Sequence, residues 1–315
     1  MHYIDITQQK IIDAQNIHYE YMRYVIKKKL NGKYFTEPKP NPNIKSIHIV
    51  SGIHSEVKRF LNVEKNLRKV LVGTPEELDS IKSRFTTKKE IDSIKRLFDY
   101  EMWIDYNPKS TYHFYNAYDL AKNLDIPTCP YCNRIYTKTV TNPTKITRPT
   151  FDHWFPKSKY PLLALSFYNL VPSCNICNMG KSNDPFSLNT HFHPYHKSVN
   201  PAEILSYRFS FDYKDYSSFK FKIVPDNTFS EKSTKAFKLE DIYKMHEDEI
   251  VDLRQIRDVY SVDYLEMVKK KILLNHISEE EIYRLAFGVH IDEAKFDRRP
   301  LSKMKKDILK ELGII

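Results

Sequence analysis

Four cysteines fall as two Cys-x-x-Cys pairs, Cys129-Pro-Tyr-Cys132 and Cys174-Asn-Ile-Cys177, and nothing else in the 315 residues constrains the fold as tightly. A two-residue gap lets both thiolates of a tight turn face one ion, so two such knuckles complete a tetrahedral shell for a structural Zn2+. Two disulfides would require an oxidising compartment, and a redox motif would need only one pair. The doubled spacing is more specific than a single pair, so zinc is the expected occupant of Cys129, Cys132, Cys174 and Cys177.

The residues around the second pair carry chemistry. Phe151-Asp152-His153-Trp154 and Asn169-Leu-Val lie between the knuckles, and Asn178 and Lys181 follow the last cysteine. Hydrolysing a phosphodiester with one metal takes a hard cation, oxygen ligands for it, a base for water and a group that holds the base. Asp152 offers a carboxylate oxygen and Asn178 an amide oxygen, both suited to Mg2+ or Mn2+. His153 is the candidate base. On a strand, Asp152 and His153 point to opposite faces and can serve metal and water separately. Asn169 is expected to accept a proton from one ring nitrogen of His153 and so fix its tautomer. Lys181, one helical turn past Asn178, is a candidate phosphate contact, as is Lys157.

This stretch resembles the HNH endonuclease motif of the ββα-metal nucleases, over residues 129 to about 184. The resemblance implies that Asp152 is the metal ligand before the family's first histidine, that His153 is that histidine and the general base, and that Asn169 is the middle asparagine. It also implies that Asn178 is the second metal ligand and that the four cysteines are the zinc knuckles many members carry. Two positions depart from the pattern. Lys159-Tyr160-Pro161 replaces the usual Gly-Gly, giving a stiffer and bulkier loop, and the final motif residue is Asn rather than His, which favours a hard, oxygen-preferring metal. HNH proteins with large helical flanks are similar to bacterial restriction and antiviral-defence effectors, which often work with a separate ATPase.

Charge points towards a polyanion. The net charge is +10, yet residues 121–200 hold nine Lys/Arg against three Asp/Glu, whereas 201–315 hold twenty-one against twenty-two. A surface stripped of acids favours nucleic acid, with binding that weakens as salt rises, although a solubilising basic face would have the same composition. The expected partner is DNA, taken as double-stranded. None of the six glycines falls in a nucleotide-binding loop, so any nucleotide hydrolysis would come from a second chain. With neither a signal peptide nor a membrane-length apolar run, the expected location is the cytoplasm.

The expected fold class is α+β: a small ββα core with zinc at 121–200, a helical region at 1–120, and a β-hairpin with helices at 201–315. Apolar spacing predicts one helix over 8–30, closed by Lys27-Lys28-Lys29 at the end where lysines suit the helix dipole, and a second over 57–71. Thr74-Pro75-Glu76-Glu77 and Thr87 with Glu90 read as capping boxes. Tyr112, Phe114, Tyr115 and Tyr118 read as core. Arg208–Tyr213 and Ser218–Val224 alternate as a hairpin around Asp215-Tyr-Ser-Ser. Residues 240–274 read as helix with Ile242, Met245, Ile250, Leu253, Ile256 and Val259 on one stripe, followed by a helix capped by Ser278 and Glu281 and a last one at 302–312 ended by Gly313. His191, His193 and His196 are either a polar turn packed on the core or a second site; fitted ligand spacing is absent, which favours packing. Arg298-Arg299 either contacts nucleic acid or bridges helices. Besides a DNA nuclease, the sequence admits a non-catalytic zinc-stabilised nucleic-acid-binding or scaffold module, or a nuclease acting on RNA or branched nucleic acid.

Overall fold

The computed structural model describes residues 1–105, 110–142, 145–181, 186–213, 219–259 and 278–315. Among these residues the fold is mixed α and β with two small sheets. The long helix α1 (Gln9–Asn31) leads into α2 (Ser55–Asn62), α3 (Glu64–Val72), α4 (Pro75–Ile81), α5 (Lys88–Leu97), α6 (Tyr100–Ile104) and α7 (Ala117–Leu124). The lysines ending α1, expected to suit the helix dipole, reach other segments instead: Lys27 donates to the Asn62 carbonyl at 2.7 Å, and buried Lys29 to the Leu97 carbonyl at 3.0 Å. The predicted second helix is two, because Val63 adopts an extended conformation between α2 and α3. Both predicted capping boxes form, at Thr74 with Glu77 and Thr87 with Glu90. A third, Asn116 with Asp119, starts α7. Tyr112 and Tyr115 are core, while Phe114 and Tyr118 are half-buried.

Strand β1 (Thr150–His153) pairs antiparallel with β2 (Leu170–Ser173), Asp152 opposite Val171 and His153 opposite Leu170, and α8 (Asn175–Lys181) follows directly. Pro172 is tolerated in β2 because a two-stranded sheet has only edge strands. The order strand, strand, helix is the local arrangement that positions the candidate residues.

The second sheet is the expected hairpin, β3 (Tyr207–Tyr213) against β4 (Phe219–Pro225); its Asp215–Ser218 turn lies outside the described residues. Helices α9 (Thr228–Ala236), α10 (Leu239–Tyr243), α11 (Glu247–Val259), α12 (Glu279–Phe287) and α13 (Ser302–Glu311) follow among the described residues. The stripe predicted over 240–274 is interrupted, because a 3-10 turn at Lys244–His246 shifts the helical phase and leaves Met245 78% exposed. Ile250 and Leu253 are buried as expected, and residues 260–274 lie outside the described residues. Ser278 and Glu281 form their capping box, and Gly313 takes a φ of 71° after α13.

One hydrophobic cluster runs from Met1 to Leu312 and takes in Trp103, Tyr131, Trp154, Phe167 and Tyr243, so the helical flanks and β1–β2–α8 share a core. The C-terminal part also closes over the first knuckle. Asn133 has a left-handed φ of 52°; its amide donates to the Phe296 carbonyl at 2.7 Å, and its carbonyl accepts from the Leu301 amide at 2.6 Å. The Tyr243 hydroxyl donates to the Cys132 carbonyl at 2.5 Å. No helix among the described residues is long and apolar enough to cross a membrane.

Candidate functional site

The two knuckles meet. All four cysteines are buried and free, and their sulfurs lie within 4.8 Å of one another. Cys132 and Cys174 are 3.9 Å apart at sulfur. A tetrahedron of ~2.3 Å Zn–S bonds has edges of ~3.8 Å, close to the Cys132–Cys174 separation, so the four sulfurs could hold one zinc ion after a small contraction. Without a cation, burial pushes the Cys129 thiol up, while thiol donors, Cys129 foremost, push Cys174 down, a charge imbalance that a divalent ion removes.

Each knuckle extends a side chain to Asp152. Tyr131, between the first two cysteines, donates its hydroxyl to Asp152 Oδ2 at 2.6 Å. Lys181, one turn past Cys177 on α8, donates to Asp152 Oδ1 at 3.3 Å and to the His153 carbonyl at 2.8 Å. Burial raises the Asp152 pKa, opposed by the Lys181 charge and the Tyr131 hydrogen bond. Lys181, expected at a phosphate, is instead fully buried as the ion-pair partner of Asp152. Asn178, a turn earlier on α8, is half-buried, and its side-chain amide makes no hydrogen bond among the described residues. A carboxylate and an uncommitted amide oxygen suit a hard divalent cation in kind, with the Lys181 ammonium now standing on the carboxylate.

His153 points away from Asp152, as strand alternation requires. Its Nε2 contacts the Ala164 carbonyl at 2.9 Å, and Tyr100 meets the ring edge-on, 4.5 Å between centroids. A carbonyl only accepts, so Nε2 carries the proton and Nδ1 keeps its lone pair. Burial pushes the His153 pKa down to about 3, against the Ala164 hydrogen bond, so the ring is neutral at pH 7.

The expected Asn169–His153 hydrogen bond does not form. Asn169 is buried and clasps the loop: its Oδ1 accepts from the Phe155 amide at 2.7 Å, and its Nδ2 donates to the carbonyls of Phe155 at 3.1 Å and Leu163 at 2.9 Å. It thus acts on the loop that carries Ala164, and only through that loop on the imidazole. Lys157 is at the surface, paired with Glu101 and lying over the Tyr100 ring at 4.4 Å.

The three clustered histidines have separate surroundings. His191 stacks on Phe186, His193 packs against Trp154 at 4.7 Å, and His196 meets Glu76 at 3.1 Å. Among the described residues only the four cysteines form a group of metal-binding type drawn from His, Cys, Asp and Glu. Arg298 pairs with Asp125 at 2.9 Å and Arg299 donates to the Gly288 carbonyl at 2.9 Å, so this pair bridges elements of the fold. A cavity of about 720 Å3 lined by His2, Tyr3, Tyr207 and Lys303 includes none of the candidate residues.

Sequence reading missed Tyr131, the Ala164 carbonyl and Tyr100. Tyr131 had a signal, its place inside a Cys-x-x-Cys turn; the other two had none.

Comparison with known proteins adds little. No family model and no solved structure matches the chain. Protein ea31 of Escherichia phage lambda is 32% identical over 74 residues, which are 23% of this chain and 20% of that protein. The chain thus spans about a fifth of the length of this curated relative.

Proposed function

We propose that the chain is a metal-dependent HNH-type endonuclease that hydrolyses phosphodiester bonds in DNA, with His153 as the general base. The observation that carries this reading is the Nε2–Ala164 hydrogen bond, which leaves a neutral imidazole with its lone pair at Nδ1 on the strand that holds Asp152. Nδ1 takes a proton from the attacking water, and the Ala164 carbonyl, facing the opposite nitrogen, stabilises the imidazolium that results. Asp152 and Asn178 would hold Mg2+ or Mn2+, which when bound supplies Lewis-acid stabilisation of the phosphate. Lys157, over the Tyr100 ring, would exchange its Glu101 partner for a backbone phosphate. Zn2+ on the four cysteines fixes the knuckles that carry Tyr131 and Lys181. The setting we propose is cytoplasmic, in a bacterial restriction or antiphage defence system with a separate ATPase or other subunit as partner.

The test is cleavage of plasmid DNA with Mg2+ or Mn2+, beside structured RNA and branched junctions, by the wild-type chain and His153→Ala. Metal-dependent cleavage that the substitution abolishes is expected. Equal cleavage by both would refute the base assignment.

One observation favours a second reading. Both oxygens of Asp152 already have protein partners, as in a zinc-stabilised nucleic-acid-binding or scaffold module that performs no chemistry. That module would bind DNA but cleave none of the three substrates with any divalent ion.

A further inference from the structure

We infer that Lys181 is a displaceable counter-ion that stands in for the divalent cation on Asp152, so that loading the site means expelling the ammonium. The inference rests on the hard-cation reading above and concerns how that site is controlled.

Three features of Lys181 carry it. Its side chain has no solvent exposure, which is costly for an ammonium and rare without a fixed partner. Its contact with Asp152 Oδ1 is 3.3 Å, longer than the ~2.7–2.9 Å of a close charge-assisted hydrogen bond, whereas its bond to the neutral His153 carbonyl is 2.8 Å. The remaining side of the ammonium meets the Phe186 ring at 5.2 Å and no third acceptor among the described residues. The pair with Asp152 is therefore loose, and a four-carbon stem lets the head group swing out while α8 stays in place.

The anchoring of Asp152 is asymmetric. Tyr131 holds Oδ2 at 2.6 Å with a neutral donor, which a cation on Oδ1 need not disturb. Asn178, a turn before Lys181 on α8, brings an uncommitted amide to the same end of the helix. A divalent ion and an ammonium cannot share Oδ1, because two like charges a few ångströms apart in a dry site repel strongly. Lys181 thus keeps the carboxylate paired, and sets a threshold below which the cation stays out.

The test measures Mn2+ binding to the zinc-loaded full chain by electron paramagnetic resonance of the free ion, with zinc content and circular dichroism as checks on folding. Lys181→Met removes the competing charge; Lys181→Gln does so while keeping a donor for the His153 carbonyl, in case the first variant misfolds. Both are expected to tighten Mn2+ binding by about tenfold or more, since a like charge in contact with the site is gone. Lys181→Arg should stay near wild type, and Asp152→Asn should abolish the site. If wild type binds Mn2+ and neither neutral variant binds more tightly, the counter-ion inference falls while the cation site stands. If wild type and every variant fail to bind, the hard-cation reading itself falls, and this inference with it.

Discussion

Replacing Asn169 by alanine separates two roles for this side chain. An asparagine that orients His153 would, when lost, reduce cleavage and leave the fold intact. The structure instead gives its buried amide three backbone partners, the Phe155 N–H and the carbonyls of Phe155 and Leu163. Alanine strands all three in a site with no exposed surface. Each buried group left unpaired costs about 1–3 kcal/mol, and water entering the vacated space recovers part of that, so we expect a loss of about 3–5 kcal/mol. Against a total stability of about 5–15 kcal/mol, this is a large shift in the urea midpoint. The assay is urea unfolding at saturating zinc, followed by tryptophan fluorescence, with Asn169→Asp as a comparison that keeps the acceptor for the Phe155 amide but loses both donors. A midpoint within error of wild type for the alanine variant would refute the loop-clasp role.

Two further predictions concern the sulfur site and pH. The purified chain should hold one zinc per molecule by atomic emission, and Cys174→Ser should lose it and unfold at lower urea, because an incomplete shell in a buried site sacrifices the folding energy of the metal; unchanged zinc content would exclude the four-sulfur site. His18 is buried between the Tyr115 hydroxyl and the Leu165 carbonyl, and burial pushes its pKa down to about 4. The unfolded chain takes up that proton from about pH 6.5 and the folded chain only near 4, so the His18 contribution is present above about 6.5 and lost progressively as pH falls towards 4. His18→Gln should flatten the decline of the urea midpoint over that range, and a variant with the wild-type slope would rule the linkage out.

What the sequence disclosed and what it hid divide by distance along the chain. Thr74 with Glu77, Thr87 with Glu90 and Ser278 with Glu281 are complete within four residues and can be read directly; Asn116 with Asp119 is the same device with asparagine for the hydroxyl residue and aspartate for glutamate, outside the usual pattern. The cysteine pairs are equally local, and their spacing was enough to foresee that they converge. The partners of Asp152 lie 21 and 29 residues away, at Tyr131 and Lys181, and no local pattern links them. Lysines ordinarily face water, and Lys181 does not because a buried carboxylate demands a counter-charge. Asn169 has the side chain of a partner for an imidazole, and residue type alone points that way. Only the path of the 155–164 loop shows that its amide is used up by backbone.

The clasp at Asn133 bears on the order in which the molecule can be completed. The first knuckle is synthesised more than a hundred residues before Tyr243, Phe296 and Leu301, the groups that close over it. A nascent chain can gather its four sulfurs around an ion as soon as α8 has emerged, but the outer wall of that turn must wait until translation has passed residue 301. For most of its synthesis the metal end is therefore a half-finished room, and a fragment trimmed to the motif would stay in that condition.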